Sequence, residues 1–319
     1  MKILLGRAEV DPNKPDNHGR TPLSHAGGNR NISATAERVL KLLLEQKEVN
    51  SDQPDHDGRT PLSHAAEAGF ERAVKILFGR AEVTPDKPDN DRRTPLLHAA
   101  KHGFKGAVGM LLGREEVNPD KPDNNGLTAL SHAAECCNYS ATAEGVVKLL
   151  LEPKEVNYDW PDNEGRTPLL NATEAGFGGM VQILLGQGDV NPEKPDNLGR
   201  PPLSYASSGG HSYETEAYMK VVKMLLGREE VTPDKPDNNC RTLLSHAAEH
   251  GFEGAVGMLL EREEVNPHMP YNLGRTPLML ATSGEHEGVV TLLQSHKAVG
   301  LARPNAKQSP PHRSYCYFF

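Results

Sequence analysis

The phrase Gly58-Arg59-Thr60-Pro61-Leu62-Ser63-His64-Ala65-Ala66 decides the fold, because the chain keeps returning to it. Its threonine position recurs at Thr21, Thr60, Thr94, Thr128, Thr167, Pro201, Thr242 and Thr276. The intervals are 39, 34, 34, 39, 34, 41 and 34 residues. A base unit of 34 therefore repeats, and three units carry insertions of five, five and seven. Periods of this size mark repeat architectures.

Working outward from the phrase, each unit reads as helix, turn, helix and extended arm. Thr60 is suited to N-cap a helix, and Pro61 stands at the first helical position, where its missing N–H costs nothing. Leu62, Ala65 and Ala66 give one narrow apolar face. Gly69 closes this helix. A second helix begins near Phe70-Glu71 and is expected to carry Val74, Ile76, Leu77 and Phe78 inward, ending at Gly79-Arg80. The segment Val83-Thr84-Pro85-Asp86-Lys87-Pro88-Asp89-Asn90 holds two prolines and an Asp/Asn run, which favour an arm with a turn. So short a helix pair cannot bury its own apolar face; stacking on copies supplies the core.

Thr-Pro-Leu followed by Ala-Ala, Gly and a Val-x-x-Leu-Leu helix resembles the ankyrin repeat over roughly residues 1–299. The resemblance implies an all-α solenoid of paired antiparallel helices with extended β-hairpin-like loops, about eight repeats plus an N-terminal half repeat. It also implies a non-enzymatic scaffold that binds another protein through the concave groove and the arms. Val117-Asn118-Pro119-Asp120 with Ser131-His132 looks like the ankyrin arrays of filamentous fungi. Those often lie behind a nucleotide-binding NACHT module, so the alternative is the ligand-sensing region of a larger receptor of that type. The family's histidine after Thr-Pro-Leu, which ties neighbouring loops, is replaced here by Ser24, Ser63, Ser131, Ser204 and Ser245, by Leu97 and Leu170, and by Met279. Either a serine makes that tie more weakly or the two-proline arm is stiff without it.

The expected organisation is a partial repeat at 1–17, an array at 18–299 and a disordered tail at 300–319. Lys2-Ile3-Leu4-Leu5-Gly6-Arg7-Ala8-Glu9-Val10 aligns with Lys75 to Val83, so the chain starts mid-repeat and reads as a piece of a longer protein. A monomer is expected unless that half repeat pairs. Asn31 to Glu37 matches Asn138 to Glu144 at a distance of 107 residues, which points to copying of a three-repeat block. The Asn-x-Ser and Asn-x-Thr sequences at Asn31, Asn138 and Asn171 read as coincidence multiplied by that duplication.

A net charge of −8 lacks the concentrated basic face that nucleic acid requires. Met1 to Leu5 is too short an apolar run for a secretory or membrane segment. Four cysteines, Cys136, Cys137, Cys240 and Cys316, are too few and too scattered for a disulfide framework or a zinc site, which points to the cytosol or nucleus. Cys316 stands fourth from the end, the position of prenylation, but its aromatic neighbours Tyr317 and Phe318 disfavour that. No phosphate-binding loop, nucleophile elbow or His-Glu-x-x-His occurs, so no catalytic residue, cofactor or metal is expected.

Two surfaces are candidates for a partner. One is the row of arms, with lysines such as Lys87 and Lys121 near the tips and Arg59, Arg93, Arg166 and Arg241 just before the first helices. The other is the exposed side of those helices, with His64, His98, His132, Tyr205 and His246 in equivalent positions. Arg and aromatic side chains are enriched at binding hot spots. The bland reading is that the ring row fills a half-buried position while loop Arg and Asp pair among themselves. The Arg-Glu-Glu runs, such as Arg114-Glu115-Glu116, read as solvated helix ends. The insertions at 27–37, 134–144 and 207–219 are further candidate contacts.

Overall fold

The computed structural model describes residues 11–29, 34–135, 141–152, 156–208 and 215–301, and all regular structure in them is helical. The chain divides into two compact units, Met1–Asn163 and Glu164–Phe319. In the first unit, α1 (Pro22–Gly27), α3 (Pro61–Ala68), α5 (Pro95–Lys101) and α7 (Ala129–Glu135) are the first helices of successive pairs. Their second helices are α2 (Ala34–Leu44), α4 (Glu71–Leu77), α6 (Lys105–Leu112) and α8 (Ala141–Leu150). The second unit repeats the pattern with first helices α9 (Pro168–Glu174), α11 (Pro202–Ser208), α13 (Leu243–Glu249) and α15 (Pro277–Ser283). Their partners are α10 (Gly178–Leu185), α12 (Thr215–Leu226), α14 (Glu253–Leu260) and α16 (Glu287–Leu301). The helix expected within residues 1–10, Asn31, Asn138, Cys136, Cys137, Cys316 and the tail from 302 lie outside the described residues.

The first helices start where the threonines place them. Thr60 Oγ1 accepts the Ser63 amide at 3.2 Å, and the same bond runs from Leu170 to Thr167 at 3.2 Å and from Ser245 to Thr242 at 3.3 Å. Ser63 Oγ returns to the Thr60 amide at 3.4 Å, closing a capping box. Ser24, Ser63, Ser131 and Ser245 thus serve the cap. At Pro201 the threonine is lost, and α11 still begins on the Ser204 amide bonded to the Pro201 carbonyl at 2.9 Å. Gly69 ends α3 with φ of 67°, a left-handed value suited to glycine.

Within each unit, first helices pack on first helices and second on second: α1 to α3 to α5 to α7, and α9 to α11 to α13 to α15. Small residues make this possible. Ala65, Ala66, Ala99 and Ala100 are all 0% exposed. In α4, Ala73, Val74 and Leu77 are buried, whereas Ile76 and Phe78, expected inward, are only half-buried. The helix ends at Leu77, so Phe78 leaves the helical face and lies beneath the Arg114 guanidinium, 4.6 Å from the ring centre.

Arg114 also corrects the reading of the Arg-Glu-Glu runs. Its Nη2 donates to the Phe78 carbonyl at 2.9 Å, one repeat back, and Arg80 does the same to Leu44 at 3.4 Å. In the second unit Arg228 reaches the Leu185 carbonyl and Arg262 the Leu226 carbonyl. Each arginine therefore satisfies an orphan carbonyl at the end of the preceding second helix and opposes that helix's negative end. Glu115 and Glu116 stay exposed. The insertions are built partly as extra helix: α2, α8 and α12 have 11, 10 and 12 residues against 7 in α4 and 8 in α6.

Two further expectations meet the structure here. Asn171 is 3% exposed inside α9, which leaves no room for a glycan. Cys240 is 7% exposed and clusters with Tyr271 and Leu280. Among the described residues no helix is long and apolar enough to cross a membrane.

The arginine caps give a direct test. Arg114→Ala removes a charge-assisted hydrogen bond and a cation–π contact, and should lower stability by about 1–2 kcal/mol. Urea unfolding of the full chain reads this as an earlier midpoint for the first unit, and Glu115→Ala should leave the midpoint in place.

Candidate functional site

The arms are organised by an aspartate nine residues before the histidine. Asp89 Oδ1 accepts the amides of Asp91 at 3.0 Å and Arg93 at 2.8 Å, and its Oδ2 accepts from His98 Nε2 at 2.9 Å. The backbone closes the turn around it: the Asp89 amide donates to the Arg93 carbonyl at 2.9 Å, and the Arg92 amide to the Asp89 carbonyl at 2.9 Å. Asp55 with His64 (2.8 Å) and Asp123 with His132 (3.0 Å) repeat this in the first unit. Asp237 with His246 (3.0 Å) repeats it in the second. Tyr205 takes the ring position once, its hydroxyl donating to Asp196 at 2.8 Å. So the imidazole ties each arm to its own first helix, whereas the tie expected of the preceding position was between neighbouring loops.

Neighbouring arms are joined by a second ladder. The Asn90 amide donates to the Asp57 carbonyl at 2.9 Å and its Nδ2 to the His56 carbonyl at 2.9 Å. Asn124 and Asn238 repeat both bonds on the arms that precede them in their own units. Lys121 Nζ reaches the carbonyl of Asp86 at 2.8 Å and its carboxylate at 3.0 Å, and Lys87 holds Asp52 in the same way. Gly58 sits where neighbouring arms come close: at φ of 81°, a Cβ there would lie 2.7 Å from Asn90 Oδ1.

The sequence-predicted site residues fall into two groups. His98, His132, His246 and Tyr205 are 2, 6, 7 and 8% exposed, and the His64 side chain is 13% exposed, so the rings are inside the arm ties. The guanidiniums remain reachable. Side-chain exposures of Arg59, Arg93, Arg166 and Arg241 are 24, 22, 27 and 25%. Arg59 pairs with Glu67 at 3.1 Å, Arg166 with Glu174 at 2.9 Å and Arg241 with Glu249 at 2.6 Å. Arg93 turns to Asp91 at 3.3 Å, because Lys101 occupies the place of the glutamate. Arg59 and Arg93 also lie 3.7 and 3.6 Å from the next arm's Asp89 and Asp123. Within each unit the structure thus sets these arginines beside the first helices and withdraws the rings. The aspartates and the asparagine ladder were missed, although the Asp-to-His spacing of nine recurs and was there to be read.

The electrostatics follow from these bonds. Burial pushes the Asp89 carboxyl up, but the hydrogen bonds from His98 and the Arg93 and Asp91 amides outweigh it, and the group lies below its ordinary value. Asp123 and Asp237 behave in the same way, burial being outweighed first by His132 and His246. Burial lowers His64, and Asp55 only partly restores it. A neutral ring can still donate Nε2–H. A carboxylate that already accepts three hydrogen bonds is a poor proton acceptor at neutral pH. Among the described residues no three His, Cys, Asp or Glu side chains gather as a metal-ligating group.

His98→Phe should lose about 1–3 kcal/mol, because the buried Asp89 carboxylate loses a donor. His98→Tyr should recover part of that, since Tyr205 fills the same role. The folded value of Asp89 is depressed, so its contribution is complete above the ordinary 3.8 and is lost as pH falls through the folded value. Chemical unfolding at neutral pH and again in acid should show the gap between His98→Phe and the parent closing in acid.

The family model for ankyrin repeats (3 copies) matches residues 1–89, 80–144, 139–215 and 212–307. No curated protein matches the chain. With nearly the whole array matched, and with capped helix pairs stacked within each unit, the chain belongs to the ankyrin repeat family.

Proposed function

We propose that the chain is a non-enzymatic scaffold of eight ankyrin repeats, preceded by half of another, that binds a partner protein along the edge where arms meet first helices. Ankyrin repeats are generally protein-interaction modules. The guanidiniums of Arg59 and Arg93 in the first unit, and of Arg166 and Arg241 in the second, carry the reading, each held by a carboxylate at 3.3 Å or less. Held this way, they present planar donors with little conformational freedom left to lose on binding. The rings at His64, His98, His132, Tyr205 and His246 support the surface from beneath.

The alternative, a sensing region of a larger NACHT-type receptor, rests on the likeness of Val117-Asn118-Pro119-Asp120 with Ser131-His132 to fungal ankyrin arrays. A phosphate-binding loop in a reading frame continuous with Met1 would favour it, and an in-frame stop just upstream would remove it.

Crosslinking followed by mass spectrometry identifies the partner, after which the double variant Arg59→Glu, Arg93→Glu tests the surface. Reversing two charges should weaken the partner's association at least about tenfold with the helical signal unchanged. Unchanged affinity would place the contact elsewhere and sink the reading.

A further inference from the structure

Two arms of the first unit grip the arm before them with a lysine, and a third does not. Lys87 Nζ donates to the Asp52 carbonyl and to its Oδ2, both at 3.0 Å. Lys121 Nζ holds the carbonyl and Oδ2 of Asp86 at 2.8 and 3.0 Å. A carbonyl and a carboxylate of one aspartate thus converge on a single ammonium, and the repeat builds this cradle twice. Asp120 is the next aspartate of the series, but the lysine position of the arm after it is Trp160.

The turn that carries Trp160 is unchanged. Its amide donates to the Asn157 carbonyl at 3.3 Å, as those of Lys87 and Lys121 do to Thr84 and Asn118 at 3.4 Å. The two arms also stay in register: the Asn157 amide donates to Asp120 Oδ2 at 2.9 Å, where Thr84 donates to Asp52 at 3.4 Å. Among the described residues that amide is the one donor to the Asp120 carboxylate. Burial pushes the Asp120 carboxyl up, and only the Asn157 amide opposes it. Asp120 and Trp160 are both half-buried, so solvent reaches them. The exchange of lysine for tryptophan forgoes a charge-assisted bond that the backbone still allows, which marks a role outside the stack. In the second unit Met269 makes a similar exchange after Asp234. There Asp234 Oδ1 is buried, and a thioether has no ring face for a cation.

We propose that Asp120 and Trp160 form a docking site for a lysine of a partner protein, its ammonium taking the place that Lys87 and Lys121 fill on the two preceding aspartates. The ammonium donates to the Asp120 carbonyl and carboxylate, and its aliphatic stem lies along the indole. Lysine suits the site better than arginine, because two acceptors converging on one point fit a compact charge and not a planar fork. A net charge of −8 draws a basic segment toward it. The site lies along the arms and does not rest on the arginines proposed above.

Trp160 is the chain's one tryptophan, so its own fluorescence reports the site. Titrating the full chain with a blocked pentalysine peptide should shift the emission saturably. Asp120→Asn should weaken that binding at least about fivefold. Glu115→Gln, which removes the same charge at an exposed position, should leave it unchanged. Trp160→Lys, followed by calorimetry, should bind the peptide at least about fivefold more weakly and unfold at higher urea, because the internal lysine is restored. No emission shift at any soluble peptide concentration overturns the proposal. So does an equal loss in Asp120→Asn and Glu115→Gln, which is the pull of net charge alone. Peptide binding by Trp160→Lys as tight as the parent's overturns it as well, and that variant leaves Asp120 in place.

Discussion

A first helix of six to eight residues ends in a face of alanine and leucine that nothing in its own repeat covers, and every other feature of the structure answers that constraint. The pair Ala65-Ala66, both 0% exposed, lets two helices approach until no gap is left. A larger side chain would hold them apart, and a polar one would be stranded. Burying a Val or Leu contributes roughly 1.5–3 kcal/mol, and in a pair this small most of that comes from the neighbour. Stability is therefore a property of interfaces, not of single repeats.

Close stacking also fixes what the polar residues must do. Neighbouring arms are brought so near that their backbones meet, and buried amides and carbonyls need partners. The asparagine ladder supplies them between arms, and the aspartate beneath each turn supplies them within an arm. At the far end of the pair, Arg80 and Arg114 satisfy carbonyls of the preceding second helix at 3.4 and 2.9 Å. Each tie spans one repeat, so it adds to the nearest-neighbour coupling that the alanine faces begin. A charge-rich chain thus spends much of its charge on itself.

Much of this was legible beforehand. Threonine before proline is a helix start for reasons of local chemistry, and all the cap bonds at Thr60, Thr167 and Thr242 run as that chemistry requires. Glycine after Ala68 had to be a stop. The run Val74 to Phe78 was harder, since consecutive apolar residues fix a face only if the helix end is known, and here it falls at Leu77. The ring row was read as a surface because helical spacing gives direction and says nothing about depth. What withdraws the rings is Asp89 and its equivalents, nine residues away across a turn, and a contact of that kind is invisible to periodicity. The insertions resisted for the opposite reason: they have no period, and part of each became an added turn of helix.

Repetition has a cost for recognition. A partner that reads identical repeats has no way to tell one register from the next, because sliding by one repeat restores every contact. Specificity must then come from places where the pattern breaks. The breaks are physical: Lys101 stands where Glu67 and Glu174 pair with their arginines, and Leu127 replaces an arginine before α7. Tyr205 replaces a histidine and draws Arg200 to 4.7 Å and Arg166 to 5.9 Å from its ring. Each break changes the local charge or its orientation without disturbing the stack, since the ties that hold the stack are made elsewhere. On the proposed surface the regular residues build the edge, and the irregular ones would give it an address.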